Sequence, residues 1–388
     1  MAQVSKNGIK LLFKNFENID RKMNILNVTT THEWRGGEAQ LYQYFRLLEN
    51  FKDLNQMILC PENSVLSEKC TESKSKHFTY FKKSKVSSLL KPIIKICKAE
   101  KINIIHVHDS NALTASLIAT LFLPKSTKIV LSRKRNNRIK DKFLNRYKYS
   151  HPKIQKIISV SKAVEKVFDN IVHDKSRLVT IYDAIDVNFF ENVKKTYLIH
   201  QEYQLSLDTK IVGNVAALTS QKDIHTFIDT AKKIIAKKDS KLDLKFVIVG
   251  DGPLKDELHK YSKKLKVEEH IIFMGYRSNI QQILPDFDIF LLTSETEGLP
   301  LTIYEAFASK IPVVATNAGG ISEVIENNKT GFLTDLKDSE NLSNYVLEIL
   351  QNPELSEKIK TNAYNLVKEN HDLSCMQKQY YKFYKTLL

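Results

Sequence analysis

Short apolar runs alternate with segments of helical period along almost the whole of this 388-residue chain, and the alternation runs twice with a break between. Such a pattern stacks βα units into parallel sheets, because each buried strand needs a helix to cover its face before the next can pair beside it. In the first half, strands are predicted over residues 24–30, 56–60, 102–108, 128–132 and 156–160, and helices over 38–51, 86–100, 111–123 and 162–172. Residues 186–208 are polar and without clear period, as in a linker. The strand pattern then restarts over 210–215, 245–249, 270–274, 288–292 and 312–315. The expected fold class is therefore α/β, with two doubly wound parallel-sheet domains over residues 23–190 and 209–368. A linker over 191–208 joins them, an extension over 1–22 precedes them, and a helix over 369–388 follows.

Charge and cysteine usage narrow the functions open to such a chain. Lys and Arg outnumber Asp and Glu by 36 to 18 over residues 1–200 and trail them by 23 to 26 over 201–388. The densest basic stretch contains Arg133, Lys134, Arg135, Arg138, Lys140, Lys142, Arg146 and Lys148. It reads either as a face for an anionic partner, such as an acidic membrane, or as an ordinary solvated surface. Phe143, Tyr147 and Tyr149 within it are expected in the core, which argues against base stacking and a nucleic-acid partner. The longest apolar stretch, residues 112–124, is too short to span a bilayer. The four cysteines lack CxxC spacing, which fits a reducing cytoplasm and no structural zinc. In residues 1–22, Ile9, Leu12, Phe13, Phe16 and Ile19 fall at helical spacing beside Lys10 and Lys14. That segment reads as a membrane-surface helix or as a frayed terminus, and carries no secretory-signal pattern.

Only 11 glycines occur, and most stand at or just past predicted strand ends, where open α/β sheets bind ligands. Trp34, Arg35, Gly36, Gly37 and Glu38 follow the first strand and open the first helix, so a backbone carrying Gly36 and Gly37 could approach a phosphate. The spacing is neither GxGxxG nor GxxxxGK[ST], which removes support for a dehydrogenase or a P-loop enzyme. The sharpest feature follows the strand ending at residue 292. There Glu297, Gly298, Leu299, Pro300 and Leu301 lead into a helix that contains Glu305. Pro near a helix start loses no needed N–H, and the turn offers backbone donors and the positive end of a helix dipole to an anion. Glu297 and Glu305 would stand about 10 Å apart, from the rise per helical residue plus the turn. Carboxylates avoid diphosphates but accept hydrogen bonds well from hydroxyls, so two of them flanking an anion cradle suit a nucleotide sugar.

On these residues the chain resembles the family 4 glycosyltransferases, retaining enzymes of the GT-B architecture in which two Rossmann-like domains face each other across a deep cleft. The resemblance covers nearly everything from Met23 onward. Glu297 to Glu305 matches the family's Glu-x7-Glu signature, and residues 298–301 its Gly-Leu-Pro-Leu. Asn317, Ala318, Gly319, Gly320 and Glu323 match the following loop. Residues 249–254 and 274–277 match two further stretches, as do Gly36-Gly37, residues 106–109, 159–161 and 182–186. The resemblance implies that Glu305 binds the ribose hydroxyls, that Glu297 and His108 hold the transferred sugar, and that the loop of Tyr276 and Arg277 meets the base. Gly36, Gly37, Gly298, Leu299, Pro300 and Leu301 would meet the diphosphate and sugar through their backbones. His106, two residues earlier on the same strand face, is the alternative to His108 for the sugar contact, and reads otherwise as a packed strand residue. The family's basic pair on the diphosphate is an Arg and a Lys; here Lys222 is kept and Ala217 stands at the Arg position, with Arg277 or Arg35 available to compensate.

The implied chemistry is metal-independent transfer from a nucleotide sugar, UDP- or GDP-linked, with no cofactor and no metal ligands. The acceptor hydroxyl would attack from the face that the diphosphate leaves, and fixed donors would meet the leaving charge. The basic first half points to an anionic, lipid-linked or phosphorylated glycan acceptor. The enzyme would then be cytoplasmic, with a peripheral contact at the inner face of the membrane through Arg133, Lys134, Arg135 and Arg138. A non-hydrolysing nucleotide-sugar epimerase on the same scaffold is the alternative reading. A glycoside hydrolase fits poorly, since its two carboxylates flank one bond without a phosphate cradle.

Overall fold

The computed structural model describes residues 22–387, apart from 35, 82 and 85. The expectations for the N-terminal extension up to residue 21 and for Arg35 lie outside the described residues. The remainder forms two sheets. The first has seven strands: β1 (Met23–Val28), β2 (Leu54–Pro61), β3 (His77–Tyr80), β4 (Ile104–Val107), β5 (Lys128–Arg133), β6 (Ile154–Ser159) and β7 (Leu178–Thr180). Their order is β3-β2-β1-β4-β5-β6-β7. The second sheet has six: β8 (Lys210–Val215), β9 (Leu244–Val249), β10 (Ile271–Gly275), β11 (Ile289–Leu292), β12 (Val313–Thr316) and β13 (Phe332–Thr334), in the order β10-β9-β8-β11-β12-β13. Neighbouring strands run parallel, in both sheets outward from the central β1 and β8. In each sheet the order reverses beside the first strand, which creates the switch point where such sheets take ligands.

Burial explains why these segments are strands. β4, β11 and β12 are buried at every position, and β1 and β9 at all but one, as strands covered by helices on both faces require. The strands legible from apolar runs appear within about two residues of expectation. Three strands were not expected, namely β3, β7 and β13, which are only three or four residues long and carry no readable alternation.

By its packing the chain falls into two compact units. The first contains the described residues up to Arg133, then Arg146–Ile158 and the residues from Tyr380 on; the second contains Lys134–Asn145 and Ser159–Gln379. The expected linker is not bare coil, since it carries two short helices, Val187–Glu191 and Leu198–Glu202. The buried Asp286 carboxylate orders this stretch by accepting the N–H groups of Thr196 (3.1 Å), Tyr197 (2.8 Å) and Ile199 (3.0 Å). The C-terminal helix, Leu373–Lys385, docks its last turns in the first unit. There Tyr381 and Lys385 donate to Asp53 at 3.0 and 2.9 Å, and Lys128 donates to the Leu387 carbonyl at 2.7 Å.

Candidate functional site

The turn between β11 and the helix Leu301–Ala308 is held rigidly from two sides. Thr293 donates to the Asp223 carbonyl at 2.9 Å, and the Glu295 N–H donates to the Gln221 carbonyl at 2.9 Å, which ties the turn to the loop after β8. On the other side Thr316 donates to the Ser294 carbonyl at 2.6 Å. Pro300 caps the helix in extended conformation, and the positive end of the helix dipole falls at Leu301. The loop after β12 packs directly against this turn. Gly319, at φ +60°, is where a Cβ would lie 1.8 Å from the Glu297 carbonyl oxygen, so only glycine permits the approach.

Four side chains of this turn and its neighbours define the chemistry. Glu297 Oε1 accepts from Lys222 Nζ at 2.5 Å and from Ser294 Oγ at 2.7 Å, with only a tenth of its side chain exposed. Lys222 closes a short 3-10 turn that ends in Asp223, whose left-handed backbone caps the next helix, Ile224–Lys237. Glu305 sits one turn inside its helix and is half-buried. No hydrogen bond or ion pair among the described residues reaches its carboxyl, and burial pushes it up to about 7. Ala217, at the position where the resembled family carries Arg, is exposed and brings no charge.

Arg277 stands elsewhere in the second unit's bonding. Its guanidinium pairs with Glu202 and donates through Nε to the Met274 carbonyl at 3.3 Å, while Tyr276 beside it is exposed. Glu323 serves the fold: its two oxygens accept the N–H groups of Lys162 and Ala163, both at 2.8 Å, and it also takes the Tyr182 hydroxyl at 2.9 Å.

In the first unit Gly36 and Gly37 open the helix Gly36–Leu48, and His108 follows the end of β4. Its Nε2 lies 3.0 Å from the Tyr44 hydroxyl and 3.2 Å from Asn27 Oδ1. His106 is fully buried, with Nε2 2.8 Å from Ser132 Oγ, as a packed strand residue. Sequence reasoning missed Asn27 and Tyr44. The available signal was a polar Asn inside the apolar strand MNILNV, in register with His106 on β4.

The basic stretch divides by environment. Lys134 is largely buried and pairs with Asp183 at 3.4 Å, which makes it a structural cation rather than a surface one. Arg133 is half-buried, whereas Arg135 and Arg138 are exposed. The expectation that Phe143, Tyr147 and Tyr149 are core holds only for Tyr149. Phe143 is 80% exposed, Tyr147 64%, and Leu144 beside them 76%. The helix Phe143–Tyr149 has two turns, too few to turn a whole apolar stripe inward. Among the described residues no helix is long and apolar enough to cross a membrane, and no three His, Cys, Asp or Glu side chains gather as metal ligands.

Comparison with known proteins matches two family models to the chain. Glycosyltransferase Family 4 covers residues 28–189 and Glycosyl transferases group 1 covers 197–366. The UDP-Gal:alpha-D-GlcNAc-diphosphoundecaprenol alpha-1,3-galactosyltransferase of Escherichia coli is 25% identical over 89% of this chain and 94% of its own length. The N-acetyl-alpha-D-glucosaminyl L-malate synthase of Bacillus anthracis is 28% identical over 60% of this chain, a match that spans only 60% of that relative. Among solved structures, Anabaena HepE in complex with UDP and glucose superposes with a TM-score of 0.80 at 19% identity, covering 94% of this chain and all of that one. This likeness shows the fold, the GT-B pair of Rossmann-like domains.

Proposed function

The chain belongs to the family 4 glycosyltransferases, and from that premise we propose that it moves a sugar from a UDP- or GDP-linked donor to an anionic, lipid-linked glycan acceptor, with retention at the anomeric carbon. The observation that carries this reading is Glu305, a half-buried carboxyl without a cation, one turn past a helix start. Such a group is costly unless something donates to it, and a pair of ribose hydroxyls supplies uncharged donors. The helix start at residues 298–301 and Lys222 take the diphosphate, and Glu297 takes hydroxyls of the transferred sugar. Lys222 leaves Glu297 for the diphosphate when the donor binds, and so already stands as a positive charge beside the phosphate as it departs, the kind of placed charge that lowers such barriers. In the same proposal His108 is assigned to the donor sugar. The names of the relatives support the substrate classes: the E. coli enzyme takes UDP-Gal and a diphosphoundecaprenol-linked acceptor, and the Anabaena structure holds UDP.

Thermal-shift measurements with UDP, GDP, ADP and CMP test the donor reading. A melting temperature raised by UDP or GDP, and followed by donor turnover in the presence of a lipid-linked acceptor, is expected. No shift with any of them at millimolar concentration contradicts it. Conversion of the donor without acceptor into an epimeric nucleotide sugar would select the epimerase instead.

A peripheral position on the inner face of the cytoplasmic membrane belongs to the same proposal. Phe143, Leu144 and Tyr147 stand exposed in a segment that also carries exposed Arg138, Lys140, Lys142 and Arg146, and this mixture of apolar and cationic side chains suits an anionic bilayer surface. Sedimentation with vesicles containing phosphatidylglycerol is expected to fall several-fold for F143S/L144S, and to fall with added salt for the unaltered protein. Equal binding to neutral and anionic vesicles, or no effect of the double substitution, removes the membrane reading.

A further inference from the structure

The C-terminal helix sends Tyr380 and Tyr384 into the first unit, beside the residues around His108. We propose that these two tyrosines are positioning residues for His108, fixing through His106 and Tyr44 the ring orientation and tautomer that it presents to the donor. The proposal rests on the assignment of His108 to the donor sugar.

The geometry runs in one direction. Asn27 Nδ2 faces two acceptors, Gln56 Oε1 and the Met57 carbonyl, both at 3.5 Å, so its Oδ1 points toward Tyr44 and His108. The Tyr44 hydroxyl donates to that Oδ1 at 2.5 Å. His108 Nε2 then meets one carbonyl oxygen at 3.2 Å and one hydroxyl, already committed as a donor, at 3.0 Å. Only an Nε2–H satisfies both, which makes Nδ1 the accepting nitrogen of the ring.

Tyr44 is therefore the group that sets the tautomer, and the C-terminal helix holds Tyr44. The Tyr380 ring stacks on it at 4.4 Å with planes 9° apart. The Tyr384 hydroxyl lies 2.6 Å from His106 Nδ1, whose other nitrogen meets Ser132, so the His106 ring is bonded at both ends. His106 in turn packs against His108 at 4.4 Å between centroids, and its Nδ1 is 3.4 Å from the Tyr44 hydroxyl. Burial pushes Tyr44 and Tyr384 well above the ordinary phenol value, which keeps both hydroxyls protonated as this bonding requires. Removing the Tyr384 hydroxyl takes the 2.6 Å contact from His106 Nδ1, leaves it the longer one to Tyr44, and so loosens the ring beside His108.

Steady-state kinetics of Y384F, Y44F, His108→Ala and the double variant Y384F/H108A test the proposal. Y384F is expected to lower kcat about five- to tenfold with the donor KM within about twofold, the effect of one lost buried hydrogen bond. In the H108A background the same substitution is expected to cost nothing further, because its effect passes through the missing ring. Y44F, which removes one hydroxyl from a ring still clamped by Tyr380, should show the same pattern. Equal losses from Y384F in both backgrounds, or no loss in either, overturn the positioning role. Full kcat in H108A alone refutes the donor contact of His108 itself and the proposal with it, an outcome separable from the first two.

Discussion

Replacing Glu305 by Ala is expected to lower kcat/KM for the nucleotide-sugar donor by about two orders of magnitude, as for the loss of charge-assisted hydrogen bonds to two hydroxyls. Glu305→Gln keeps the shape and one acceptor oxygen, and should recover part of that loss. The protonation behaviour gives a sharper check. Burial pushes the ligand-free carboxyl up to about 7, while hydroxyl donors favour the carboxylate and pull it down on binding. Donor binding near pH 7 should therefore release protons, approaching about half a proton per site, and Glu305→Gln should abolish the release. Calorimetry in buffers of different ionisation enthalpy reads this number. The sign for stability follows from the same shift. A carboxyl raised in the folded state contributes stability that is present below its unfolded value, about 4.3, and lost as pH rises through about 7. Over that range the ligand-free protein should lose more stability than E305Q does.

Lys222→Ala is the second substitution with a large expected effect, a fall of about 10²- to 10³-fold in kcat, comparable to removing a fixed donor from a developing charge. Two features of the structure set the size. Ala217 places no cation where the family has Arg, and Arg277 is paired with Glu202, so among the described residues the proposed neutralisation at this turn falls to Lys222. The same substitution leaves the mostly buried Glu297 with Ser294 alone, and some loss of thermal stability should accompany the kinetic one. Lys222→Arg separates the two effects. It restores charge and a partner for Glu297, so stability should return, while kcat recovers only as far as the longer side chain reaches the leaving oxygen. Wild-type kcat in K222A removes Lys222 from the reaction.

The most legible parts of this molecule were those where burial and backbone chemistry act locally. β8 has the predicted bounds because KIVGNV is an apolar run cut off by a polar turn, and the helix at Leu301 starts where Pro300 dictates. Gly319 was legible as a loop glycine, but its reason, the Glu297 carbonyl against its Cα, exists only once two loops from different strands have packed. The pairing of Lys222 with Glu297 was hidden for the same cause, since 75 residues separate them in the chain. Phe143 and Tyr147 show the opposite failure. Helical spacing predicted burial, yet the seven-residue helix buries Tyr149 and leaves Phe143 and Tyr147 exposed. Asn27 and Tyr44 escaped notice because neither marks a site until strand register and the packing of the first helix set them beside His106 and His108.

Everything proposed for the donor depends on the turn and helix start at residues 298–301 holding a diphosphate while Glu305 takes the ribose. A crystal structure with a non-hydrolysable UDP- or GDP-sugar tests it most directly. Phosphate oxygens are expected within hydrogen-bond distance of backbone N–H groups at the start of the Leu301–Ala308 helix and of Lys222 Nζ, with both ribose hydroxyls on the Glu305 carboxylate. A nucleotide bound with its ribose away from Glu305, or a Lys222 still paired to Glu297 and apart from the phosphates, contradicts it.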